Sequence, residues 1–407
     1  MRKILIFSTT YGPIITGTAV AIKEITDRIQ HTRFDMVTLR CDQTSPAHER
    51  VGNVNIHRVG FVLTKNHDRG LGSFLFKINT LLFPLRACFR AHTLEKEHVY
   101  DAVWSVEASY AGFAALLFKY SHPKTPFILS LHEDDSIGAI KRHMRFIRPL
   151  YRRIFSHADC VQAVSQYLVG LARAFDFKGN VIVIPNGVDV KTFTREHSVQ
   201  ELNELKQKIG KHGSDIYIIT VSRLVVKNGI DDIIRALVFL PERFKLLVVG
   251  EGEEFDALHI LANEKKVADR VIYVGAVPYH EVPTYLKISD VFVRPSRSEG
   301  FGNAFIESMA AGTPVVATAV GGIVDFLYAP HNDKEQNIYQ KPTGLFCGPH
   351  KPKTIADAVV RITENAELKT QLVNNGHDLA VEKYDWNIIA RHMEKKVFDA
   401  VMVKNSL

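Results

Sequence analysis

The stretch Glu299-Gly-Phe-Gly-Asn-Ala-Phe-Ile-Glu307, which continues into Ser-Met-Ala-Ala-Gly-Thr-Pro-Val-Val, holds two carboxylates on either side of a glycine-containing loop. Gly302 and Asn303 occupy the predicted start of a short helix, where backbone N–H groups favour a phosphate. Glu307 follows about one turn later, and a carboxylate accepts hydrogen bonds from sugar or ribose hydroxyls. The stretch therefore predicts a nucleotide-sugar site, although a solvated glutamate beside a glycine turn also fits either carboxylate taken alone.

Four further segments accompany this glutamate pair. They combine glycines, cations and prolines, and they stand along the chain in the order of one family's signature segments. The segments are Ile184-Pro-Asn-Gly-Val-Asp189, Ser222-Arg-Leu-Val-Val-Lys-Asn-Gly229, Val248-Val-Gly-Glu-Gly252 and Pro295-Ser-Arg-Ser-Glu299. With Glu299 and Glu307, this set resembles the signature of the retaining glycosyltransferases of family 4, over most of the region from 180 to 330.

The resemblance implies a GT-B fold, an α/β architecture in which two Rossmann-like, doubly wound parallel-sheet domains face a cleft. We expect an N-terminal, acceptor-side domain at 1–190 and a C-terminal, nucleotide-sugar-binding domain at 191–383. The last helix, within 384–407, is expected to cross back to the first domain. The alternation of strand and helix patterns independently indicates parallel sheets covered on both faces, with ligands at the carboxyl ends of the strands.

The individual elements can be placed from this alternation. The strands are expected near 2–8, 34–40, 101–105, 126–131, 159–164, 181–184, 215–221, 244–249, 270–274, 290–293 and 314–317. Helices are expected at 17–30, 73–97, 108–121, 137–156 and 165–174. The polar stretch 191–213 is interpreted as a linker followed by a short helix, and 328–343 as a polar loop of unknown role.

The resemblance also carries the site over to named residues. The expected donor-binding residues are Gly17, Ser222, Arg223, Lys227, Gly250, Val277, Glu299, Gly300, Phe301, Gly302, Asn303, Ala304 and Glu307. The expected catalytic residues are His132, Glu299, Arg223 and Lys227. In the family pattern His132 is more often followed by Asp than by Glu133, and Thr16 stands here where a first glycine is usual. Acceptor handling on that side is therefore the least defined part of the resemblance.

Each role has a physical reason. The leaving nucleoside diphosphate carries negative charge, which Arg223 and Lys227 would stabilise. The planar guanidinium of Arg223 can donate two hydrogen bonds to a phosphate, and the ammonium of Lys227 acts as a compact positive charge. With two such cations a divalent metal is not required, and the resemblance implies metal independence. Glu307 would accept from the ribose and Glu299 from the transferred sugar, while the base would rest on the 275–278 loop. His132 would contact the sugar and the reaction centre, and neither glutamate is assigned as a nucleophile.

We therefore predict a retaining hexosyltransferase that uses a UDP- or GDP-sugar and acts on a glycan, glycolipid or lipid-linked acceptor in cell-envelope or polysaccharide synthesis. Two alternatives stay open. An enzyme of the same fold that transfers nothing to an acceptor, such as an epimerase, would turn over its sugar nucleotide alone. A nucleotide-sugar-binding scaffold would bind the donor without releasing nucleotide.

Composition limits the classes further. A chain of 407 residues with 46% apolar content can build two cores. No apolar run reaches the roughly 18 residues of a membrane-spanning helix, and residues 1–8 fit a buried strand better than a signal peptide. The four cysteines show no Cys-x-x-Cys pair, which suits a reducing compartment and a cytoplasmic protein. The acidic run 133–135 is interpreted as loop or helix-cap residues rather than a metal site.

Charge is unevenly distributed. Residues 1–195 carry a net charge of +10 and residues 196–407 a net charge of −3. Two segments, 73–90 and 141–153, combine apolar side chains with cations, as do amphipathic helices that lie on anionic lipid. Either segment also fits a helix packed on the sheet with its charges in water. A nucleic-acid partner is not expected, because no aromatic-and-basic strand or helix-turn-helix pattern occurs.

Overall fold

A computed structural model describes residues 1–11, 16–61, 71–330 and 341–404, with backbone alone for 71–73 and 404. Two compact units divide the chain. Unit 1 comprises residues 1–186 and the segment from Trp386 onward, and unit 2 comprises Gly187–Asp385. Each unit contains one sheet, flanked by helices, in which the strands are parallel apart from one hairpin. This confirms the predicted α/β class with two Rossmann-like parallel-sheet domains.

The sheet of unit 1 has eight strands. They are β1 Arg2–Ser8, β2 Thr32–Leu39, β3 His48–Val51, β4 Val54–Val59, β5 Ala102–Val106, β6 Phe127–Leu131, β7 Cys160–Ala163 and β8 Val181–Val183. Their order is β3-β4-β2-β1-β5-β6-β7-β8. The central strands are apolar along their whole length because helices cover both faces. The edge hairpin of β3 and β4 is a feature that the sequence patterns did not reveal, since its strands carry charged and histidine residues.

Within the described ranges, the N-terminal part of unit 1 contains six α-helices. They are α1 Gly17–Arg28, α2 Leu71–Glu95, α3 Tyr110–Ser121, α4 Ile137–His143, α5 Arg148–His157 and α6 Gln166–Ala174. The prediction of one helix over 137–156 is wrong, because the chain forms α4 and α5 instead. Pro149 lies in the first turn of α5, where its missing N–H is tolerated, whereas inside a continuous helix it would clash with the preceding turn.

Unit 2 has a six-stranded, fully parallel sheet. Its strands are β9 Ile216–Val221, β10 Phe244–Val249, β11 Val271–Gly275, β12 Val291–Arg294, β13 Val315–Thr318 and β14 Gly344–Cys347. The order β11-β10-β9-β12-β13-β14 is the 3-2-1-4-5-6 order of the dinucleotide-binding fold. The chain reverses its direction of winding between β9 and β12. Such a switch point opens a crevice at the carboxyl ends of the two strands.

The helices of unit 2 begin directly after the crossing from unit 1. They are α7 Val190–Phe193, α8 Val199–Lys208, α9 Ile230–Ala236, α10 Phe255–Glu264, α11 Val282–Lys287, α12 Asn303–Ala310, α13 Pro352–Glu364 and α14 Ala366–Lys383. The Asp189 carboxylate caps α7 and the Ser198 hydroxyl caps α8. The stretch 191–213, predicted as a linker followed by a short helix, contains α8 as that short helix and, in addition, most of α7. The central part of the 328–343 loop lies outside the described residues, as do residues 12–15 of the first loop.

The chain returns to unit 1 at Trp386. It forms α15 Trp386–His392, a π-helical stretch Met393–Asp399, and α16 Ala400–Lys404. Trp386 and Phe398 are fully buried, and the Phe398 ring lies 5.3 Å from that of Trp104 on β5. Arg2 at the start of β1 pairs with Glu394 and Asp399. The final helical segment is therefore part of the hydrophobic core of unit 1.

No helix within the described ranges is both long enough and apolar enough to cross a membrane. All four cysteines, which lie inside those ranges, are free thiols.

Candidate active site

The switch point of unit 2 brings together the loops that follow β9 and β12. The backbone N–H of Arg297 donates to the Lys227 carbonyl oxygen at 2.7 Å. At Gly229 an added Cβ would lie 2.3 Å from the Pro295 carbonyl oxygen, so the backbones are in direct contact. The segment that carries Arg223 and Lys227 is therefore adjacent to the segment that leads into Glu299.

Glu299 is buried beside a cation that the sequence patterns did not single out. Its Oε2 accepts from Arg294 Nη2 at 2.5 Å and from Ser296 Oγ at 3.4 Å. The Arg294 guanidinium lies 4.3 Å from the centre of the Phe305 ring. The signal that could have revealed Arg294 is a charged residue at the end of the apolar strand Val291-Phe-Val-Arg294. Since an ion pair fixes the carboxylate, Glu299 is held in one orientation at the loop.

Glu307 lies on α12, only 7% exposed. Its Oε1 accepts a hydrogen bond from the Tyr279 hydroxyl at 3.0 Å. Burial raises the pKa of Glu307 to about 7, while the hydrogen bond from Tyr279 and the positive charge of Arg294 act in the opposite direction. Tyr279 is a second contributor that sequence reasoning missed.

The start of α12 depends on Gly302. This residue is the N-cap, has φ of +97°, and offers no side chain to the amides of the first turn. Any Cβ here would lie 2.5 Å from the Phe305 ring. Phe301 is almost fully buried, with its ring 5.4 Å from that of Phe326, so its side chain belongs to the core. The segment 300–304 is therefore anchored by two buried aromatic rings, Phe301 within it and Phe305 directly after it.

The turn after β10 supports the other side of the crevice. Gly250 has φ of +133°, and a Cβ there would lie 2.0 Å from the Ser222 carbonyl oxygen. Its N–H donates to the Gly275 carbonyl oxygen at 2.8 Å, which anchors the loop that contains Val277. The Ser222 hydroxyl oxygen is buried and has no hydrogen-bond partner among the residues that the structure describes. Such an oxygen is a candidate contact for a ligand.

The two predicted diphosphate-binding cations are arranged differently. The Arg223 side chain is exposed, and that of Lys227 is half-buried. The loop between them is braced by Asn228, whose Nδ2 donates to the Arg223 carbonyl oxygen at 2.7 Å. The brace fixes the backbone and leaves the Arg223 side chain at the surface.

His132 and Gly17 lie in unit 1. His132 directly follows β6, and burial lowers its pKa to about 4, so the imidazole is neutral at physiological pH. Gly17 is the first residue of α1, and Thr16 caps this helix by accepting from the Ala19 N–H at 3.1 Å. The two positions therefore lie at the carboxyl ends of strands in the same sheet, whereas the other predicted site residues belong to unit 2.

Residues 133–135 form a loop, as predicted, and the helix cap that follows them is Ser136. Glu133 Oε1 accepts from the Ala108 N–H at 2.6 Å. Burial raises the pKa of Glu133 to about 8, and the neighbouring Glu107 contributes. Within the described ranges no group of three or more His, Cys, Asp or Glu side chains is arranged to hold a metal ion.

Comparison with protein families gives two matches that together span most of the chain. Residues 202–379 match the model of the glycosyl transferases group 1, and residues 16–187 match the glycosyl transferase 4-like domain. The first match covers the switch-point loops and both glutamates. The second covers most of unit 1, including His132 and Gly17.

Individual proteins agree with these matches. An uncharacterised glycosyltransferase of Methanocaldococcus jannaschii is 25% identical over 96% of both chains. The GDP-mannose-dependent α-(1-6)-phosphatidylinositol monomannoside mannosyltransferase of Mycobacterium tuberculosis is 28% identical over 74% of this chain and 76% of its own. Among solved structures, sucrose-phosphate synthase of Thermosynechococcus elongatus superposes with a TM-score of 0.81 at 20% identity, covering 99% of this chain and 100% of that one.

Proposed function

Because the chain belongs to the group 1 glycosyltransferases and has their GT-B fold, we propose that it is a retaining hexosyltransferase that uses a UDP- or GDP-sugar donor. The observation that carries this proposal is the pair of buried carboxylates, Glu299 and Glu307, on either side of the Gly302 helix start. Sugar and ribose hydroxyls are the groups that suit two such acceptors, and a diphosphate suits the amides between them.

In this proposal Arg223 and Lys227 stabilise the departing diphosphate. Both lie on the loop after β9, at the switch point where α/β proteins bind nucleotides. The Arg223 side chain is exposed, and none of the salt bridges between described residues involves it, so it can rotate onto a phosphate without first breaking an ion pair. The backbone N–H groups at the start of α12, in residues 302–304, add preorganised donors, and such donors commonly make the largest contribution to catalysis. We propose that these cations take the place of a divalent metal.

Glu299 would accept from the transferred sugar, and Glu307 from the ribose. His132 is neutral, so it would contribute a hydrogen bond rather than a charge to the sugar and the reaction centre. Transfer with retention would proceed by attack from the face that the diphosphate leaves, with a phosphate oxygen taking the proton of the acceptor hydroxyl. The base would rest on the 275–278 loop, including Val277.

The acceptor is proposed to be a glycan, a glycolipid or a lipid-linked saccharide of the cell envelope or of a polysaccharide. The mannosyltransferase of Mycobacterium tuberculosis, whose name gives GDP-mannose as donor and a phosphatidylinositol mannoside as acceptor, supports this class. We propose a cytoplasmic enzyme that works at the membrane surface.

The test of the donor site is a calorimetric titration with UDP and, separately, with GDP, in the presence of EDTA. We expect saturable binding of one nucleotide and at least about tenfold weaker binding by Arg223→Ala, because one charge-assisted contact to phosphate is lost. Arg243→Ala is the matched control, since Arg243 is an exposed arginine of the same unit. Absence of binding to either nucleotide by the folded protein would contradict the proposal.

Turnover separates the alternatives. With a donor sugar nucleotide, a transferase releases nucleoside diphosphate faster when acceptor is added, and the product linkage keeps the donor's anomeric configuration. An epimerase would convert the sugar nucleotide without acceptor, and a scaffold would bind it without releasing nucleotide.

Helix α2 supports the proposed membrane contact. Four large apolar side chains on it, spaced seven, four and four residues apart, are at least 60% exposed: Phe74, Leu81, Leu85 and Phe89. Lys77, Arg86 and Arg90 lie along the same helix. In the 141–153 segment the exposed Phe146 is stacked with Arg145 at 4.3 Å. Apolar side chains with neighbouring cations are the combination that binds anionic bilayers.

We expect Phe89→Glu to lower binding to vesicles of phosphatidylcholine and phosphatidylglycerol by about tenfold. A ring that would insert into the bilayer is replaced by a negative charge that the anionic lipid repels. Co-sedimentation measures this binding. Phe239→Glu is the matched control, since Phe239 is an exposed phenylalanine of unit 2. Equal binding by the Phe89→Glu variant, or binding that does not depend on the anionic lipid, would contradict the proposed contact.

A further inference from the structure

Tyr279 connects two parts of the proposed donor site. It follows the 275–278 loop directly and begins a short 3-10 turn, Tyr279–Glu281. Its hydroxyl donates to Glu307 Oε1 at 3.0 Å. The loop expected to hold the base is therefore joined by a single side chain to the carboxylate expected to hold the ribose.

The Tyr279 ring is itself braced. Phe193, fully buried at the end of α7, packs against it edge to face with ring centroids 5.3 Å apart. Helix α7 is held in turn by Asp189, which accepts from the backbone N–H of Thr192 at 3.3 Å. The position of the Tyr279 hydroxyl is thus set by packing of the ring against Phe193 as well as by the hydrogen bond to Glu307.

The hydrogen bond leaves room for a ligand on the same carboxylate. An ionised carboxylate has about four acceptor directions, and Tyr279 uses one of them on Oε1. A donor on one oxygen also favours the ionised form, which is the better acceptor for ribose hydroxyls, and it opposes the effect of burial on the pKa of Glu307. Tyrosine and ribose can therefore be bound together.

We infer that Tyr279 is a positioning residue for ribose recognition: its hydroxyl orients the Glu307 carboxylate so that the remaining acceptor directions face the ribose of the nucleoside diphosphate. This inference rests on the proposed function. Specificity for ribonucleotides over deoxyribonucleotides would then have a structural origin: Phe193 packs against Tyr279, and Tyr279 orients Glu307. Tyr279 touches no reacting atom in this role.

The test compares three probes on the wild type and on Tyr279→Phe, which keeps the ring. The probes are the ribonucleoside diphosphate that binds, UDP or GDP, its 2′,3′-dideoxy form, and inorganic pyrophosphate. We expect Tyr279→Phe to weaken binding of the ribonucleotide by about tenfold and to leave binding of the other two probes unchanged. The variant loses a hydrogen bond to the charged Glu307, and only the ribonucleotide has ribose hydroxyls that bind this carboxylate. The preference for ribose over dideoxyribose should fall by the same factor.

Tyr273→Phe is the matched control. Its ring packs against Phe255 and His259 on α10, and its hydroxyl makes no hydrogen bond to Glu307, so its removal should leave all three affinities unchanged. Phe193→Leu, which removes the brace and keeps the hydroxyl, should lower the ribose preference by a smaller factor.

The remaining outcomes count against the inference. Equal weakening of all three probes would indicate general damage to the fold, and an unchanged ribonucleotide affinity would show that the hydroxyl has no role. Tighter binding by Tyr279→Phe would show that the tyrosine competes with ribose. If the wild type binds neither UDP nor GDP, the proposed function fails and the inference fails with it, which the first titration reveals before any variant is measured.

Discussion

Glu299→Gln is expected to lower kcat by about two to three orders of magnitude, while the affinity for the nucleoside diphosphate stays within a few fold. The reason is that Glu299 is proposed to contact the transferred sugar, where charge develops, and not the nucleotide. The neutral amide keeps the shape of the side chain but loses the charge. The measurement is steady-state turnover with the cognate donor, alongside calorimetric titration with UDP or GDP.

The same change has a cost in stability. Arg294 is buried, and Glu299→Gln removes the carboxylate that forms its ion pair, so the free energy of unfolding should fall by about 3 kcal/mol. The double variant Arg294→Met/Glu299→Gln removes both charges and should regain most of that loss, because a buried pair is replaced by uncharged groups. It therefore serves as the control for folding.

The two effects can be separated in this way. Turnover that stays low in the stable double variant supports a role for the Glu299 charge in the reaction. Recovery of turnover together with stability would show that the single variant was merely unfolding, and the assignment of Glu299 to the transferred sugar would then be wrong.

Gly250→Ala is expected to destabilise unit 2 by about 3 kcal/mol or more and to abolish measurable binding of UDP or GDP. Its φ of +133° is a conformation that L-residues rarely adopt, and the new methyl would lie 2.0 Å from the Ser222 carbonyl oxygen. Relief requires the loop after β9 to move, and this loop carries Arg223. Calorimetric unfolding and nucleotide titration measure the two effects.

Gly210→Ala is the matched control for the cost of placing alanine at a positive φ without a steric clash. Gly210 has φ of +69°, and an added Cβ would meet no atom within 4 Å. The expected loss is about 1 kcal/mol, the typical cost of a left-handed conformation for alanine, with unchanged nucleotide affinity. Comparable losses from the two substitutions would contradict a steric origin of the Gly250 effect.

Much of the architecture follows from local patterns. The central strands of both sheets are continuous apolar runs, and these are recognisable because both of their faces are buried. The edge hairpin β3–β4 and the last strand β14 were not predicted. The strand β3 has a solvated face and so lacks a continuous apolar run, while β14 is short and follows a polar loop. The hairpin is identified in the structure by the pairing of β3 with β4 and of β4 with β2.

Site residues divide in the same way. Glu299, Glu307, Arg223 and Lys227 could be named because they lie in segments that resemble the signature segments of family 4. Arg294 and Tyr279 could not, since Arg294 reaches Glu299 from the end of a strand and Tyr279 reaches Glu307 across 28 positions of sequence. Contacts of this kind depend on side-chain direction after folding.

The sequence by itself determined the fold class, the glycines at the switch point and the two carboxylates, because each depends on the backbone conformation or spacing of a short segment. Tertiary structure alone decided which groups surround those carboxylates: the Arg294 ion pair at Glu299 and the Tyr279 hydroxyl at Glu307. The physical reason is that burial and hydrogen bonding set the charge and orientation of a carboxylate, and both depend on where side chains point after folding. This holds for Arg294, five positions from Glu299, as it does for Tyr279, 28 positions from Glu307.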